Sequence, residues 1–257
     1  MESMNRKVAI VTGASRASGI GTAVCLSLAK AGVDVFFTHW TAFDRIEGNG
    51  EERDFPDKLC DQIKSFGVRA EHMSLDLSVD EAPATLLNKV KETLGPASIL
   101  VNNATYESPT DFRNLSIDLL DKHYRVNNRG TLMLSVEFAK QYEKSFQNKH
   151  EGRIINLVSG GPDPNNLAYI ATKGMTIAIT EPYLHFFHEI TVNSINPGPT
   201  DSGWMNEDTK RHLLAQFPAG RIGKPEDVAK VIAFLTSDDS YWLTGQTIRC
   251  EGGFLGK

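Results

Sequence analysis

Along this chain, short continuous apolar runs alternate with longer stretches whose apolar residues recur every three or four positions. The runs predict strands at Lys7–Thr12, Val33–Thr38, Ala70–Leu75, Ser98–Asn102, Arg153–Val158, Thr191–Asn196 and Thr247–Cys250. The periodic stretches predict helices at Ile20–Ala31, Asp57–Phe66, Asp80–Leu94, Ile117–Phe146, Ala168–Phe187 and Glu226–Leu235. Leu86, Leu87, Val90 and Leu94 show the helical spacing well. Most strands are apolar throughout rather than alternating, as a strand covered on both faces must be. Strand and helix in regular alternation imply right-handed crossovers. The expected fold is therefore α/β, a doubly wound parallel sheet of about seven strands with helices on both faces.

Two stretches fit neither pattern. His39–Arg53 is a polar, Gly-containing insertion after the second strand, and Pro199–Phe217 follows the sixth. Both lie at carboxyl ends of strands, where such folds bind ligands. The first reads equally well as a solvated surface loop; the second reads more readily as part of a binding site.

Composition narrows the function classes. The 257 residues contain no linker, repeat or low-complexity block, so a single domain over 1–257 is expected. A net charge of −5 makes nucleic acid and anionic membranes poor partners. Cys25, Cys60 and Cys250 are far apart and form no C-x-x-C, which points to small buried hydrophobes in a reducing compartment rather than a zinc or redox site. The N-terminal MESMNRK carries no apolar segment, and no apolar run approaches the ~18 residues of a membrane span. A cytoplasmic location is expected.

The chemistry begins at residues 12–21, TGASRASGIG, between the first strand and the first helix. Gly13 would make the turn off the strand, while Gly19 and Gly21 would let the helix N-terminus face a pyrophosphate. Tyr169 and Lys173 stand four apart in YIATK, on one helix face. An ammonium beside the phenol favours the phenolate and would bring the Tyr pKa down. Such a Tyr can donate a proton to a carbonyl oxygen as hydride reaches carbon. Ser159 ends the fifth strand, Asn102-Asn103-Ala104 ends the fourth, Asp76 ends the third, Asn127 lies in RVNNRG, and NPGPT follows the sixth.

In this combination the sequence resembles the short-chain dehydrogenase/reductases from Lys7 to Phe254, nearest among them the bacterial 3-oxoacyl-[acyl-carrier-protein] reductases. The pattern appears as TGASRASGIG, LDL, NNAT, VNN, NLVSG, YIATK, NPGPT and LTGQTIRCEGG. The resemblance implies a single NAD(P)-binding Rossmann domain and a homo-oligomer, dimer or tetramer. It implies Tyr169 as general acid/base, Lys173 on the nicotinamide ribose, Ser159 on the substrate oxygen and Asn127 anchoring a water in a proton relay. It further implies a cofactor site of Gly13, Ser15, Arg16, Gly19, Ile20, Gly21, Thr38, Asp76, Leu77, Asn103, Ala104, Tyr169, Lys173, Pro197, Gly198 and Thr200. Asp76 would meet the adenine amino group, Asn103 the adenosine side and Thr200 the carboxamide. The implied substrate is a small carbonyl compound or alcohol, first a 3-oxoacyl thioester and otherwise a small ketone, sugar or polyol. A regulator that binds NADP without turnover is the alternative of another class, and the intact Tyr–Lys pair speaks against it.

The chain departs from the family pattern in four places. Ala17-Ser18 lengthens the glycine loop, which must bulge. A longer loop is also similar to that of enoyl-[acyl-carrier-protein] reductases, but those place their lysine later, where Thr176 stands here. The family's NNAG reads NNAT, so Thr105 adds a side chain at the cofactor floor. The Ser159–Tyr169 segment is shorter. Pro182, within Glu181-Pro182, should kink its helix, which in this family commonly lies at a subunit interface. His185, His188 and Glu189 are read as structural, with no metal expected. Lys140, Lys144 and Lys149 are a solvated helix face, or else a docking patch for an acidic carrier protein. Trp204 and Phe217 either line an apolar pocket or staple their loop.

The cofactor is expected to be NADP(H) rather than NAD(H). An NAD site places Asp or Glu at the end of the second strand to accept from the ribose 2′-OH. Here that strand ends Phe36-Phe37-Thr38-His39-Trp40, without a carboxylate, and Arg16 supplies a cation for a 2′-phosphate.

Overall fold

The structure, a computed structural model, describes residues 6–46, 50–146, 150–161, 163–182 and 189–256. Its strands are β1 (Val8–Val11), β2 (Asp34–His39), β3 (Ala70–Ser74), β4 (Ile99–Asn102), β5 (Gly152–Leu157), β6 (Ile190–Asn196) and β7 (Thr247–Arg249). All seven form one parallel sheet in the order β3-β2-β1-β4-β5-β6-β7. The strand order reverses at β1, so the ligand crevice opens at the carboxyl edge between β1 and β4. Strands β1, β4, β5 and β6 are buried along their full lengths, which is why they read as unbroken apolar runs.

The helices are α1 (Ile20–Lys30), α2 (Thr41–Ile46), α3 (Phe55–Lys64), α4 (Ala82–Thr93), α5 (Ile117–Tyr124), α6 (Thr131–Ser145), α7 (Leu167–Thr180), α8 (Glu207–Leu214) and α9 (Pro225–Thr236). They divide over the two faces of the sheet. On one, Val24, Leu28, Leu59, Ile63 and Ile232 of α1, α3 and α9 pack against Val11, Phe37, Val101 and Ile155. On the other, Leu86, Val90, Leu134 and Phe138 of α4 and α6 pack against Ile10, Phe36, Leu100 and Ile154. Each such side chain contributes roughly 1.5–3 kcal/mol by leaving water.

The elements differ from expectation at three points. The helix expected over Ile117–Phe146 is α5 and α6 joined by a π-helical segment, Arg125–Gly130. The helix expected over Ala168–Phe187 ends at Thr180; Glu181 still has helical backbone, and Pro182 has no N–H with which to continue the ladder. Tyr183, Phe186, Phe187, His185 and His188 lie outside the described residues, as does Lys149. Finally, the two stretches read as irregular each hold a short helix, α2 and α8.

Charge is buried at the amino edge of the sheet. Asp34 is inaccessible and accepts from Arg69 N and Nε at 2.7 and 2.8 Å. Arg153 is almost inaccessible and donates to the carbonyls of Gly152 and Ser237, the latter closing the C-terminus of α9.

Candidate active site

The glycine loop leaves β1 with Gly13 at φ +76°, a left-handed backbone only glycine adopts easily. A Cβ on Gly21 would lie 2.6 Å from the Gly13 carbonyl oxygen, so α1 begins pressed against the loop. Gly19 caps α1 without any side-chain hydrogen bond, so no side chain caps the amide groups at the positive helix end. The inserted Ala17-Ser18 forms an outward turn closed by Gly19 N donating to Arg16 O at 3.1 Å. That bulge is tied on both sides. Ala17 N donates to Glu52 Oε2 at 3.1 Å, and Ser18 Oγ to the Ser202 carbonyl at 3.0 Å.

The neighbouring strand ends hold this loop in place. Thr38 is buried and its hydroxyl accepts from Gly13 N at 3.3 Å. Thr12 Oγ1 accepts from both Asn103 N and Ala104 N at 3.0 Å, while Asn103 Nδ2 donates to the carbonyls of Thr12 and Gly13 at 2.9 Å. Asp76 Oδ1 accepts from Ser78 N at 2.8 Å, and Leu77 is buried beside it, its carbonyl where a Cβ on Gly130 would clash. Beyond β6, Gly198 has φ +61° and its N–H donates to Asn196 Oδ1 at 3.0 Å; Pro197 and Gly198 carbonyls both accept from Thr200 Oγ1 at 3.3 Å.

Arg16 and Ser15 meet a partner the sequence reading missed. Asp44, on α2, is buried and its Oδ1 lies 3.5 Å from Arg16 Nε. Burial pushes the Asp44 carboxyl up, with Arg16 and a hydrogen bond from Ser15 opposing. Arg16 Nη1 is buried and has no hydrogen-bond partner. A helix N-terminus with no side-chain cap, a cradle with no room for side chains and an unpaired guanidinium nitrogen fit a dinucleotide phosphate group. The end of β2 carries no carboxylate, but α2 brings one to Arg16.

Four catalytic candidates stand on the next strand ends and helices. Lys173 is buried, its Nζ donates to the Leu157 carbonyl at 2.8 Å, and the ammonium sits 5.4 Å from the Tyr169 ring centroid. Burial pulls the Lys173 pKa down to about 8, partly opposed by Glu107. Burial, reinforced by the Glu107 charge, pushes the Tyr169 phenol far above its ordinary value, opposed by hydrogen bonding with Thr105. The direction is opposite to the depression expected from Lys173. Ser159, just past β5, is partly exposed and makes no side-chain hydrogen bond, so its hydroxyl is available to a ligand. Asn127, in the π-helical segment, is buried with its amide fully engaged. Its Oδ1 accepts from Tyr106 N and Thr105 Oγ1, and its Nδ2 donates to the Tyr106 carbonyl and Thr172 Oγ1. Any water it anchors must therefore meet its backbone.

Glu107 is a second residue the sequence reading passed over, although it stands only two positions after NNAT, in the loop that follows β4. It is exposed, and its Oε1 accepts from Asn166 Nδ2 at 2.8 Å, at the N-cap of α7. Thr110 pairs with Asn166 in an isolated bridge, fixing this mouth. Phe217 is buried and packs on Phe254, so it staples its loop; Trp204 donates from Nε1 to the Thr200 carbonyl and keeps an open ring face. Among the described residues no group of three or more His, Cys, Asp or Glu is placed to hold a metal ion. Nor is any helix among them long and apolar enough to cross a membrane.

Residues 13–255 match a family model described as enoyl-(acyl carrier protein) reductase. An uncharacterized oxidoreductase of Bacillus subtilis, YjdA, is 44% identical over 260 residues, covering 99% of both chains. The 3-oxoacyl-[acyl-carrier-protein] reductase FabG of Pseudomonas aeruginosa is 33% identical, covering 98% of both. Among solved structures, a blue fluorescent protein from a metagenomic library, in complex with NADPH, is similar with a TM-score of 0.84 at 26% identity. That likeness covers 96% of this chain and 97% of the other.

Proposed function

This chain belongs to the short-chain dehydrogenase/reductase family, and from that premise we propose that it is an NADP(H)-dependent carbonyl reductase/alcohol dehydrogenase. The observation that carries the reading is the buried Lys173 ammonium beneath Tyr169, with the unpartnered Ser159 hydroxyl on the adjacent strand end. A bound nicotinamide dinucleotide supplies or accepts the hydride. Ser159 donates a hydrogen bond to the substrate oxygen and Tyr169 donates the proton to it. A phenol with a raised pKa keeps that proton at neutral pH, which suits an acid in the reducing direction. Lys173 holds the ribose hydroxyls. Arg16, whose guanidinium is only partly paired, would hold the 2′-phosphate.

For substrate, a 3-oxoacyl thioester is supported by the 33% identity to the Pseudomonas aeruginosa reductase. The description of the matching family model does not choose an enoyl substrate, since Tyr169 and Lys173 stand four apart. A small polar ketone, sugar or polyol is the second reading, and Glu107 favours it: an exposed carboxylate at the mouth suits a hydroxyl-bearing substrate. An acyl-carrier-protein partner has less support. Lys140 and Lys144 lie near the end of α6, roughly 15–20 Å along the helix from its start at the catalytic edge. Lys140 is also paired with Glu137 at 2.7 Å. A cytoplasmic location fits the three free cysteines. A homo-oligomer, dimer or tetramer, fits the exposed apolar side chains of α5 and of the segment before β7.

Following NADPH and NADH oxidation against acetoacetyl thioesters, diketones, hydroxyketones and sugars tests cofactor and substrate together. A clear preference for NADPH in kcat/KM is expected, with Tyr169→Phe losing roughly 10²–10⁴-fold in kcat at unchanged cofactor affinity. A fully active Phe variant would refute the proton-donor role, and equal use of both cofactors would refute the role of Arg16.

A further inference from the structure

The insertion between β2 and α3 lays negative charge along the glycine loop. Asp44 is 5% exposed and reaches Arg16 Nε and the Ser15 hydroxyl. Glu52 accepts from Ala17 N, and Glu51 and Glu52 both act on Asp44 electrostatically. Of the insertion's two described cations, Arg45 is exposed in the last turn of α2 and Arg53 is paired with Glu51 at 2.9 Å. Trp40 N donates to Ser15 Oγ at 3.4 Å, and Phe43 packs edge-on to Tyr106, so α2 is held across the crevice from β2 to the loop after β4. Arg16 is thus divided: its Nε faces a carboxylate, and its buried Nη1 has no partner.

We propose that Asp44 is a specificity-determining residue of the dinucleotide site, competing with a 2′-phosphate for Arg16 and narrowing the preference for NADP over NAD. The inference rests on the reading that Arg16 is the 2′-phosphate partner. A phosphate monoester brings roughly −1.5 to −2 charges. It reaches a guanidinium already half-neutralised, and it must sit near a carboxylate in a partly buried, weakly screened place. A ribose 2′-OH meets no such repulsion and can donate to the same carboxylate. Holding Arg16 in place by Asp44 works in the other direction, but one neutral hydrogen bond can do that equally well. The charge is what distinguishes the two nucleotides.

Calorimetric titration of the cofactor-free protein with 2′,5′-ADP and with 5′-ADP reads this without turnover. Asp44→Asn keeps the shape and the bond to Ser15 and removes the charge. It should tighten 2′,5′-ADP by about tenfold and change 5′-ADP by less than about twofold. Unchanged or weaker 2′,5′-ADP binding in Asp44→Asn overturns the proposal and leaves Asp44 as a loop fastener. Arg16→Ala separates the two readings. A loss of 2′,5′-ADP binding there, with no gain in Asp44→Asn, sinks only the role of Asp44. No loss in Arg16→Ala sinks the phosphate role of Arg16 and the proposal with it. If Asp44→Asn melts well below the wild type, Asp44→Ser replaces it in the same titrations.

Discussion

At the scale of single residues, burial shifts the two central groups of the site in opposite directions. It keeps the Tyr169 phenol protonated and weakens the hold of Lys173 on its proton, to a pKa of about 8 from an ordinary 10.5. The unfolded chain then binds more protons than the folded one between these two values, so stability rises with pH across that window. Below about pH 8 the folded protein bears the full cost of an enclosed ammonium, about 3 kcal/mol at 1.36 kcal/mol per unit. Lys173→Met removes that cost and leaves the Leu157 carbonyl without its donor, which offsets about 1 kcal/mol or somewhat more. The variant should be inactive yet about 1–2 kcal/mol more stable at pH 7, melting some 2–8 °C higher. Its advantage should shrink on going from pH 7 to pH 9.5. Melting curves at the two pH values check this, and a wild type at least as stable as the variant at pH 7 would contradict it. Tyr169, Lys173 and Ser159 were legible in the sequence because local spacing carries them, on one helix and one strand end. Asp44 and Glu107 were not, because a lone carboxylate in a polar stretch gains meaning only when tertiary structure sets it beside Arg16 or Tyr169.

At the scale of elements, the strands were legible to within about a residue at either end, and for β1, β4, β5 and β6 the reason is that burial on both faces writes itself as a continuous apolar run. Pattern fails for α2, whose six residues are too few to show a helical period, and for the π-helical segment, which is only one turn long and lies between two helices. The glycine pattern stated the phosphate cradle but not its fastenings. Thr38 and Asn103, expected as cofactor contacts, also hold the loop in place. This assembly has little slack at one point. A Cβ on Gly21 would lie 2.6 Å from the Gly13 oxygen and 2.7 Å from Asn103 Nδ2, forcing α1 and the loop apart. Gly21→Ala should therefore weaken dinucleotide binding by at least about tenfold while lowering stability by about 1–3 kcal/mol, the cost of overpacking. Binding measured by cofactor fluorescence, beside a melting curve, separates the two. Unaltered affinity would mean that the loop yields freely and that the cradle is not rigid.

At the scale of the whole molecule, the apolar residues that found no place in the two core layers gather in two regions on opposite faces of the sheet. On the face of α4 and α6, Ile117 is 81% exposed, with Phe112, Leu120 and Tyr124 near it in sequence on α5 and the turn before it. On the face of α1 and α9, Trp242 is 88% exposed, with Tyr241 beside it and Phe234 at the end of α9. Singly exposed hydrophobics are ordinary, whereas grouped large ones mark contact surfaces. Identical chains most often meet through twofold, self-complementary patches, and two independent patches of that kind on one chain generate a tetramer of dihedral symmetry. The protein should accordingly be a tetramer in solution. Ile117→Glu and Trp242→Glu should each leave a dimer, because each breaks one of the two contacts by burying an unpaired carboxylate there. The double variant should be monomeric. Light scattering coupled to size-exclusion chromatography reads all four species. A monomeric wild type would remove the argument altogether, and a tetramer that survives either single change would show that the corresponding face is simply solvent-exposed.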